Sequence, residues 1–243
     1  MIKKKESLHF RRFEFKYHLP RKAAYRMIPQ MLNYMDFDPY MKDEDGYEVT
    51  SMYLDSPDLK SYHEKVDGLM NRKKVRIRTY KKDWGPNEKM FFELKRRSGE
   101  VILKDRAIIP GSVMPQYFDD PFALQKLKDV DQNFINEFLW EETAHQMRPS
   151  VIVNYRRKAF YSKFDRNFRV TFDHDLAFGG PNKGSFDVDF IKPFPELVIL
   201  EVKFNGAMPR WFHDIIDMYS LQKDVFSKFC AGIEAIYGEP DYF

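Results

Sequence analysis

Apolar and polar residues alternate along many short stretches of the chain, with the period of two that is typical of a β-strand. In the stretch KVRIRTY, 74–80, Val75 and Ile77 alternate with lysine and arginine. Similar patterns predict strands at 10–19, 47–56, 72–80, 89–97, 100–109, 150–161, 167–175, 185–191 and 196–204. Apolar residues at helical spacing predict helices at 20–35, 57–66, 209–220 and 223–237, and a helical middle at 121–147.

The order of these elements indicates the fold class. Strands do not alternate one-to-one with helices, which argues against a parallel, doubly wound sheet. We therefore predict an α+β fold, with an antiparallel sheet or barrel of about eight strands and helices packed outside. The 243 residues contain no internal repeat, low-complexity tract or long linker, so we expect a single domain over 1–243.

The polar faces of the predicted strands are densely charged. The charged residues that share strand faces include Arg12, Glu14 and Lys16; Lys74, Arg76 and Arg78; Glu93, Lys95 and Arg97; Lys104 and Arg106; Arg169 and Asp173; and Glu201 and Lys203. Arg157 shares a face with Val153 and Tyr155, so its strand is less regular. One interpretation is the solvated side of an ordinary antiparallel sheet. The other is a barrel interior, which would need counter-charge for its cations.

A chain of phosphates with a divalent metal would supply that counter-charge. The planar guanidinium of arginine donates two hydrogen bonds to phosphate. Carboxylates suit Mg²⁺ or Mn²⁺, which prefer oxygen ligands and also bind substrate phosphates. The acids in phase with the cations are Glu14, Glu93 and Glu201.

Composition and short motifs limit the classes of protein and of site that this sequence can represent. Hydrophobic residues make up 43% of the chain, enough for a core, and the net charge of +3 is weak evidence for a nucleic-acid partner. The single cysteine, Cys230, excludes an intramolecular disulfide and a multi-cysteine zinc site. The strongest apolar run, LVIL at 197–200, is too short to cross a bilayer, so we expect no transmembrane segment. The loop GGPNKGS, 179–185, does not match a P-loop, and we interpret it as a plain turn.

Nine motifs, in order, resemble the polyphosphate polymerase domain of the vacuolar transporter chaperone (VTC) family, which belongs with the triphosphate tunnel metalloenzymes or CYTH proteins. They are FEFKYHLP, TSMYLDSPDL, KVRIRTY, FFELKRR, VILKDRAII, PSVIVNYRRKAFYS, FRVTFDHDL, VILEVKFNG and FSKF. The resemblance implies a closed, antiparallel, eight-stranded β tunnel with helices outside and charged side chains inside. It also implies transfer of the γ-phosphate of ATP to a growing polyphosphate chain, with Mn²⁺ or Mg²⁺.

The resemblance also implies roles for individual residues. Catalytic cations would be Lys16, Arg76, Arg78 and Lys203. Substrate-binding residues would be Lys95, Lys104, Arg106, Arg157, Arg169, Ser227 and Lys228. Glu201 would be the first metal ligand, followed by Glu14 and Glu93. The nucleophile would be the terminal phosphate of the acceptor chain.

Two other functions stay open. A triphosphatase acting on inorganic triphosphate, a nucleotide or an RNA 5′ end is disfavoured, because Arg12 replaces the first glutamate of the Glu-x-Glu-x-Lys motif of the hydrolytic tunnel enzymes. A non-catalytic module that binds polyphosphate or nucleotide could dispense with Glu201, which is present and in phase with Lys203. The expected partners are ATP, polyphosphate or triphosphate and a membrane protein, with no specific nucleic acid. The expected location is the cytoplasm, with access to a membrane through that partner.

Overall fold

The computed structural model describes residues 12–41, 44–81, 85–99, 101–181 and 185–239. The side chain of Arg12 and part of the predicted turn at 179–185 fall outside this description. The strands are β1 (Arg12–Pro20), β2 (Met35–Phe37), β3 (Tyr47–Asp55), β4 (Asn71–Thr79), β5 (Lys89–Ser98), β6 (Val101–Pro110), β7 (Arg148–Ser162), β8 (Arg169–Gly179), β9 (Leu197–Asn205) and β10 (Lys223–Asp224). The helices are α1 (Arg21–Met31), α2 (Lys60–Val66), α3 (Met114–Asp119), α4 (Gln132–Ala144), α5 (Arg210–Met218) and α6 (Lys228–Tyr237).

The chain divides into two compact units. The first contains residues up to Tyr47, Arg156–His174 and Glu196–Phe226; the second contains Glu48–Tyr155, Asp175–Pro195 and Ser227 onwards. Within the first unit the strand order is β10-β1-β9-β8-β7, and β2 also pairs with β7. Within the second unit the order is β7-β3-β4-β5-β6. The prediction of a single domain over 1–243 stays a prediction.

The antiparallel, sheet-rich α+β fold is confirmed, but the predicted closure is not. The described residues contain eight long strands, with β2 and β10 as short additions of three and two residues. Among the described residues, β10 and β6 end the strand order and are not paired with each other. The outer position of β6 explains why residues 101–106 are all exposed, on both faces of the strand. A closed barrel would require β6 to pair along its second edge.

Some predicted elements have different bounds in the structure. The helix predicted at 20–35 ends at Met31. The segment predicted as a strand at 185–191 forms isolated bridges, among them one between Phe178 and Ile191. In that segment Phe186 is buried and its neighbours are not, so the alternation does not mark a strand face. The helix predicted at 223–237 begins at Lys228, because 223–224 pair with β1 instead. The helical middle is split between a 3-10 turn at 121–126 and α4.

Each unit has its own apolar core, and this explains the alternation in the sequence. In the first unit the core includes Tyr17, Phe172 and Leu200 from the strands, Met27 from α1 and Phe212 from α5. In the second unit the core includes Met52, Val75, Ile77, Phe92 and Leu94 from the strands, with Phe134 and Phe138 from α4. The alternate residues of the same strands therefore project from the opposite face, where the charges lie.

Helix α4 also carries a buried carboxyl group in the second unit. Tyr117 Oη donates a hydrogen bond to Glu142 Oε1 at 2.9 Å, and the buried Oε2 of Glu142 has no hydrogen-bond partner among the described residues. Burial raises the pKa of Glu142 to about 7, although the hydrogen bond from Tyr117 opposes the shift. Glu142 is therefore protonated in the folded state at pH values where it ionises in the unfolded chain.

We expect the free energy of unfolding to fall as pH rises from about 4.5 to 7, because the folded state binds the Glu142 proton more tightly than the unfolded state. The contribution is on the order of 2–3 kcal/mol. Glu142→Gln should remove this part of the pH dependence in urea unfolding curves. The control is Glu196→Gln, at an exposed position just before β9. Identical pH profiles for Glu142→Gln and the unaltered protein would contradict the assignment.

Candidate functional site

Four rows of side chains form the charged face of strands β4, β5 and β6, which we call the β4–β6 face. The strand register places Arg72, Arg97 and Ile102 in the first row, Lys74, Lys95 and Lys104 in the second, Arg76, Glu93 and Arg106 in the third, and Arg78, Phe91 and Ile108 in the fourth. These rows contain eight cations and one carboxylate. Neighbouring like charges on a sheet destabilise it unless other charges compensate them.

Glu93 anchors the centre of this face. Arg76 Nε donates to Glu93 Oε2 at 2.6 Å, and Lys104 Nζ lies 2.5 Å from Glu93 Oε1. The Glu93 side chain is almost completely buried. Burial alone would raise the pKa of Glu93, but Arg76, Arg78 and Lys104 outweigh it and lower the pKa to about 2. The single acid of the β4–β6 face is therefore fully ionised and shared between two cations.

Tyr53 on β3 joins the same face. Arg76 Nη1 donates to Tyr53 Oη at 3.1 Å, and the Tyr53 ring packs against Phe229 of α6. Burial would raise the pKa of Tyr53, but Arg76, Arg78 and Lys74 hold it at about 8. A phenol with such a low pKa reports a strongly positive local potential.

The pKa of Lys104 indicates the same excess of positive charge. Burial and the neighbouring Arg76 lower the pKa of Lys104 to about 8, although its ion pair with Glu93 opposes the shift. Arg78 donates from Nε to Ser51 Oγ at 2.9 Å, and Arg106 stacks on the Phe91 ring. A bound anion would relieve the repulsion among these cations.

Residues at the start of α6 lie beside this face. Ser227 is the N-cap of α6, where its Oγ accepts a hydrogen bond from the Cys230 amide, and it also accepts one from Lys74 Nζ at 3.1 Å. Lys228 Nζ lies over the Tyr155 ring at 4.9 Å from its centroid. The structure thus places the predicted residues Ser227 and Lys228 with the cations of the second unit.

A second group of charges, which we call the Glu201 cluster, lies within the first unit. It contains Glu14, Lys16, Arg157, Asp173, Glu201 and Lys203. Lys203 Nζ is 3.2 Å from Glu201 Oε2 and 3.8 Å from Glu14 Oε2. In contrast to the β4–β6 face, three carboxylates here balance three cations.

Asp173 fixes the position of Arg157 in the Glu201 cluster. Arg157 Nε and Nη2 donate to the two oxygens of the fully buried Asp173 at 2.6 and 2.8 Å. Arg157 Nη2 also lies 3.5 Å from Glu201 Oε2. Gly46 (φ +85°) allows a close backbone approach, since a Cβ at this position would meet the Arg157 carbonyl oxygen at 2.3 Å.

The carboxylates of the Glu201 cluster bear on metal binding. Burial would raise the pKa of Glu201, but the neighbouring cations Lys203, Lys16 and Arg157 hold it well below its usual value. Among the described residues, no three His, Cys, Asp or Glu side chains are arranged to hold a metal ion. Two neighbouring carboxylates fit a Mg²⁺ or Mn²⁺ ion that takes its other ligands from water and substrate phosphates.

The structure brings most of the predicted residues into one group or the other. The β4–β6 face includes Arg76, Arg78, Glu93, Lys95, Lys104 and Arg106, and the Glu201 cluster includes Glu14, Lys16, Arg157, Glu201 and Lys203. Arg169 is opposite Lys203 in register, but its side chain is half-exposed and pairs with Asp38 at 2.5 Å. Neither Tyr53 nor the pairing of Asp173 with Arg157 was among the residues that the sequence pattern predicted for the site. One feature of the sequence pointed to Asp173, namely its position on the same predicted strand face as Arg169.

Comparison with known proteins identifies the family. A model described as the VTC domain matches residues 11–237. The chain belongs to the VTC domain family. Its match to vacuolar transporter chaperone complex subunit 4 of Trypanosoma cruzi has 27% identity and covers 81% of this chain and 29% of that protein. The match to the subunit of the same name from Schizosaccharomyces pombe has 22% identity and covers 78% and 32%. The chain therefore spans about three-tenths of the length of these curated relatives.

A solved structure supports the fold. It is that of a Bacillus halodurans protein provisionally named an adenylate cyclase, with a TM-score of 0.52 and 11% identity, covering 88% of this chain and 92% of that one. At this identity the likeness concerns the fold alone. Together with the family match, it confirms the predicted resemblance to VTC domains and the CYTH fold. In the described part of the chain, no helix is both long and apolar enough to cross a bilayer.

We expect one tyrosine to titrate near pH 8, because three cations surround the Tyr53 phenol. The absorbance of tyrosinate, followed between about pH 7 and 9, should show this titration well below the usual tyrosine range. Tyr53→Phe should remove it, whereas Tyr40→Phe, at an exposed position, should not. The absence of any difference between the two variants would contradict the electrostatic description of the β4–β6 face.

Proposed function

We propose that this protein is a metal-dependent polyphosphate polymerase, which transfers the γ-phosphate of ATP to a growing polyphosphate chain. The observation that carries the proposal is the β4–β6 face, where eight cations meet one carboxylate in a VTC domain. Such a surface favours a ligand with many closely spaced negative charges. We propose that each of the two charged groups binds phosphate.

The proposed reaction requires positioning and charge stabilisation. A terminal oxygen of the acceptor chain attacks the γ-phosphorus of ATP. The new P–O bond forms as the bond from the γ-phosphorus to the β–γ bridging oxygen breaks, so ADP leaves and the chain gains one phosphate. Charge on the transferred group is stabilised by fixed cations. The catalytic cations in this proposal are Lys16, Arg76, Arg78 and Lys203.

Glu201 and Glu14 would hold Mn²⁺ or Mg²⁺, with substrate phosphates as further ligands. A divalent ion there would neutralise negative charge on the phosphate oxygens. Glu93 has a different proposed role, because its two oxygens already lie against Arg76 and Lys104. We propose that Glu93 holds these two cations in place.

The proposed partners follow from the same chemistry and from the relatives. ATP and polyphosphate would be the substrates, and Lys95, Lys104, Arg106, Arg157, Arg169, Ser227 and Lys228 the substrate-binding residues. The relatives are named as subunits of a complex. We therefore propose that this chain also acts beside a partner protein, through which it would reach a membrane.

Incubation with ATP, Mn²⁺ and a short polyphosphate primer should give a ladder of lengthening chains together with ADP. Arg76→Ala and Arg78→Ala should each reduce chain synthesis by about a hundredfold or more, since removing one positioned donor commonly has an effect of that size. Gel electrophoresis of the products and a free-phosphate assay would measure both outcomes. Lys126→Gln, at an exposed position outside the site, should leave synthesis unchanged.

The products distinguish the polymerase from the alternatives. Free phosphate without a ladder would show a hydrolase, and tight polyphosphate binding without turnover would show a binding module. Either result would reject the proposed function. Melting temperatures of the variants would show whether any decrease in synthesis comes from unfolding.

Glu201→Gln should abolish stimulation by Mn²⁺ while ATP binding remains detectable, because the substitution removes a carboxylate ligand and retains the cations around it. Synthesis rates over a series of Mn²⁺ concentrations would measure the first effect, and calorimetric titration with ATP the second. The matched control is Glu196→Gln, at an exposed position just before β9. Equal metal dependence in Glu201→Gln and the unaltered protein would remove Glu201 as the proposed ligand.

A further inference from the structure

The cations of the β4–β6 face continue beyond the residues proposed above. Arg72 and Arg97 are direct partners in the register of β4 and β5, and the next row contains Lys74, Lys95 and Lys104. Two successive rows of this face therefore contain five cations and no carboxylate. Direct opposition of like charges costs stability in a sheet.

On the opposite face of β4 and β5, carboxylates compensate a similar pair of like charges. Lys73 and Arg96 are also direct partners in register. Lys73 forms an ion pair with Glu141, and Arg96 forms ion pairs with Glu137 and Asp105. On that face, three carboxylates neutralise two cations.

Arg72 and Arg97 donate hydrogen bonds to backbone carbonyl oxygens, and the Glu64 carboxylate acts on Arg72 electrostatically from beyond ion-pair distance. Arg72 Nη1 donates to the Leu69 carbonyl at 2.5 Å, and Arg97 Nε donates to the Gly99 carbonyl at 2.8 Å. In the ranges that the structure describes, neither guanidinium forms an ion pair with a carboxylate. Both side chains are only partly buried, so an anion could reach their remaining N–H groups.

The four rows form a continuous path along the strands. Arg72 and Arg78 are six residues apart on β4, which corresponds to about 20 Å at the rise of an extended strand. Every row along this path contains at least one cation, and the spacing between rows is about 7 Å. A single triphosphate group would cover only part of this length.

We infer that the phosphate-binding surface extends past Lys74 to Arg72 and Arg97, so that the β4–β6 face binds a long run of phosphates rather than one triphosphate group. This inference rests on the proposed function and adds two binding residues to it. The Arg78 end and the Arg72 end of the face would then hold different phosphates of one chain. The arginines at the Arg72 end would act in chain binding and not in the transfer step.

The test is the binding of long-chain polyphosphate and of tripolyphosphate to the full 243-residue protein and to Arg72→Gln/Arg97→Gln. The affinity for the long chain should fall at least about tenfold, because the substitutions remove charge-assisted hydrogen bonds to phosphate. The affinity for tripolyphosphate should stay within about twofold. The slope of log affinity against log salt should decrease for the long chain by about 0.7 for each phosphate that the variant no longer neutralises.

A charge-matched control separates local interactions from net charge. Lys126→Gln/Lys128→Gln removes the same charge from two exposed positions outside the four rows, and should leave both affinities unchanged. Arg97→Gln alone serves as a milder variant if the double variant has a lowered melting temperature, and it should show a smaller decrease in affinity for the long chain only.

Unchanged long-chain affinity in the arginine variants, or an equal decrease for tripolyphosphate, would overturn the extended surface while leaving the proposed function in place. A protein that binds neither polyphosphate would overturn the proposed function, and the extended surface with it. The unaltered protein distinguishes these two failures, because it binds polyphosphate in the first case and does not bind it in the second.

Discussion

Unbalanced positive charge on one face of β4, β5 and β6 is the constraint on which the candidate site depends. Eight cations share this face with one carboxylate, Glu93. Placing like charges side by side on a sheet is unfavourable unless other interactions offset the cost. The offset comes from the other side of the same strands, where Val75, Ile77, Phe92 and Leu94 pack into an apolar core. The core thus holds the cations in positions that their own repulsion would not select.

The two charged groups differ in how their charge is balanced. In the Glu201 cluster, Glu14, Asp173 and Glu201 match the cations around them. The ion pairs of this cluster hold its side chains in place, and its carboxylates provide oxygen atoms. In the four rows of the β4–β6 face, eight cations share one carboxylate, so the charge of these rows is strongly positive. The Glu201 cluster is therefore close to neutral, whereas the β4–β6 face carries a large positive charge.

The sequence allowed prediction of the strands and charged faces because both depend on a local period of two. The bounds predicted for β4, β5 and β6 agree with the structure within one residue. No local sequence pattern could indicate that Arg169 pairs with Asp38, a residue 131 positions away in the chain. The sequence pattern also missed Tyr53, since a tyrosine between apolar residues fits a core strand equally well. β2 and β10 contain too few residues to show a period, and closure of a sheet depends on pairing that no local pattern records.

The distribution of cations also bears on the choice between making and cleaving a polyphosphate chain. Water and a terminal phosphate compete as acceptors for the same γ-phosphate, and cations around the transferred group stabilise either reaction. Cations farther along the strands affect only a ligand that is long enough to reach them. Each phosphate added to such a ligand brings further charge to the row of Lys74, Lys95 and Lys104. Retention of the lengthening product is useful to a polymerase, whereas a hydrolase of short triphosphates gains nothing from it.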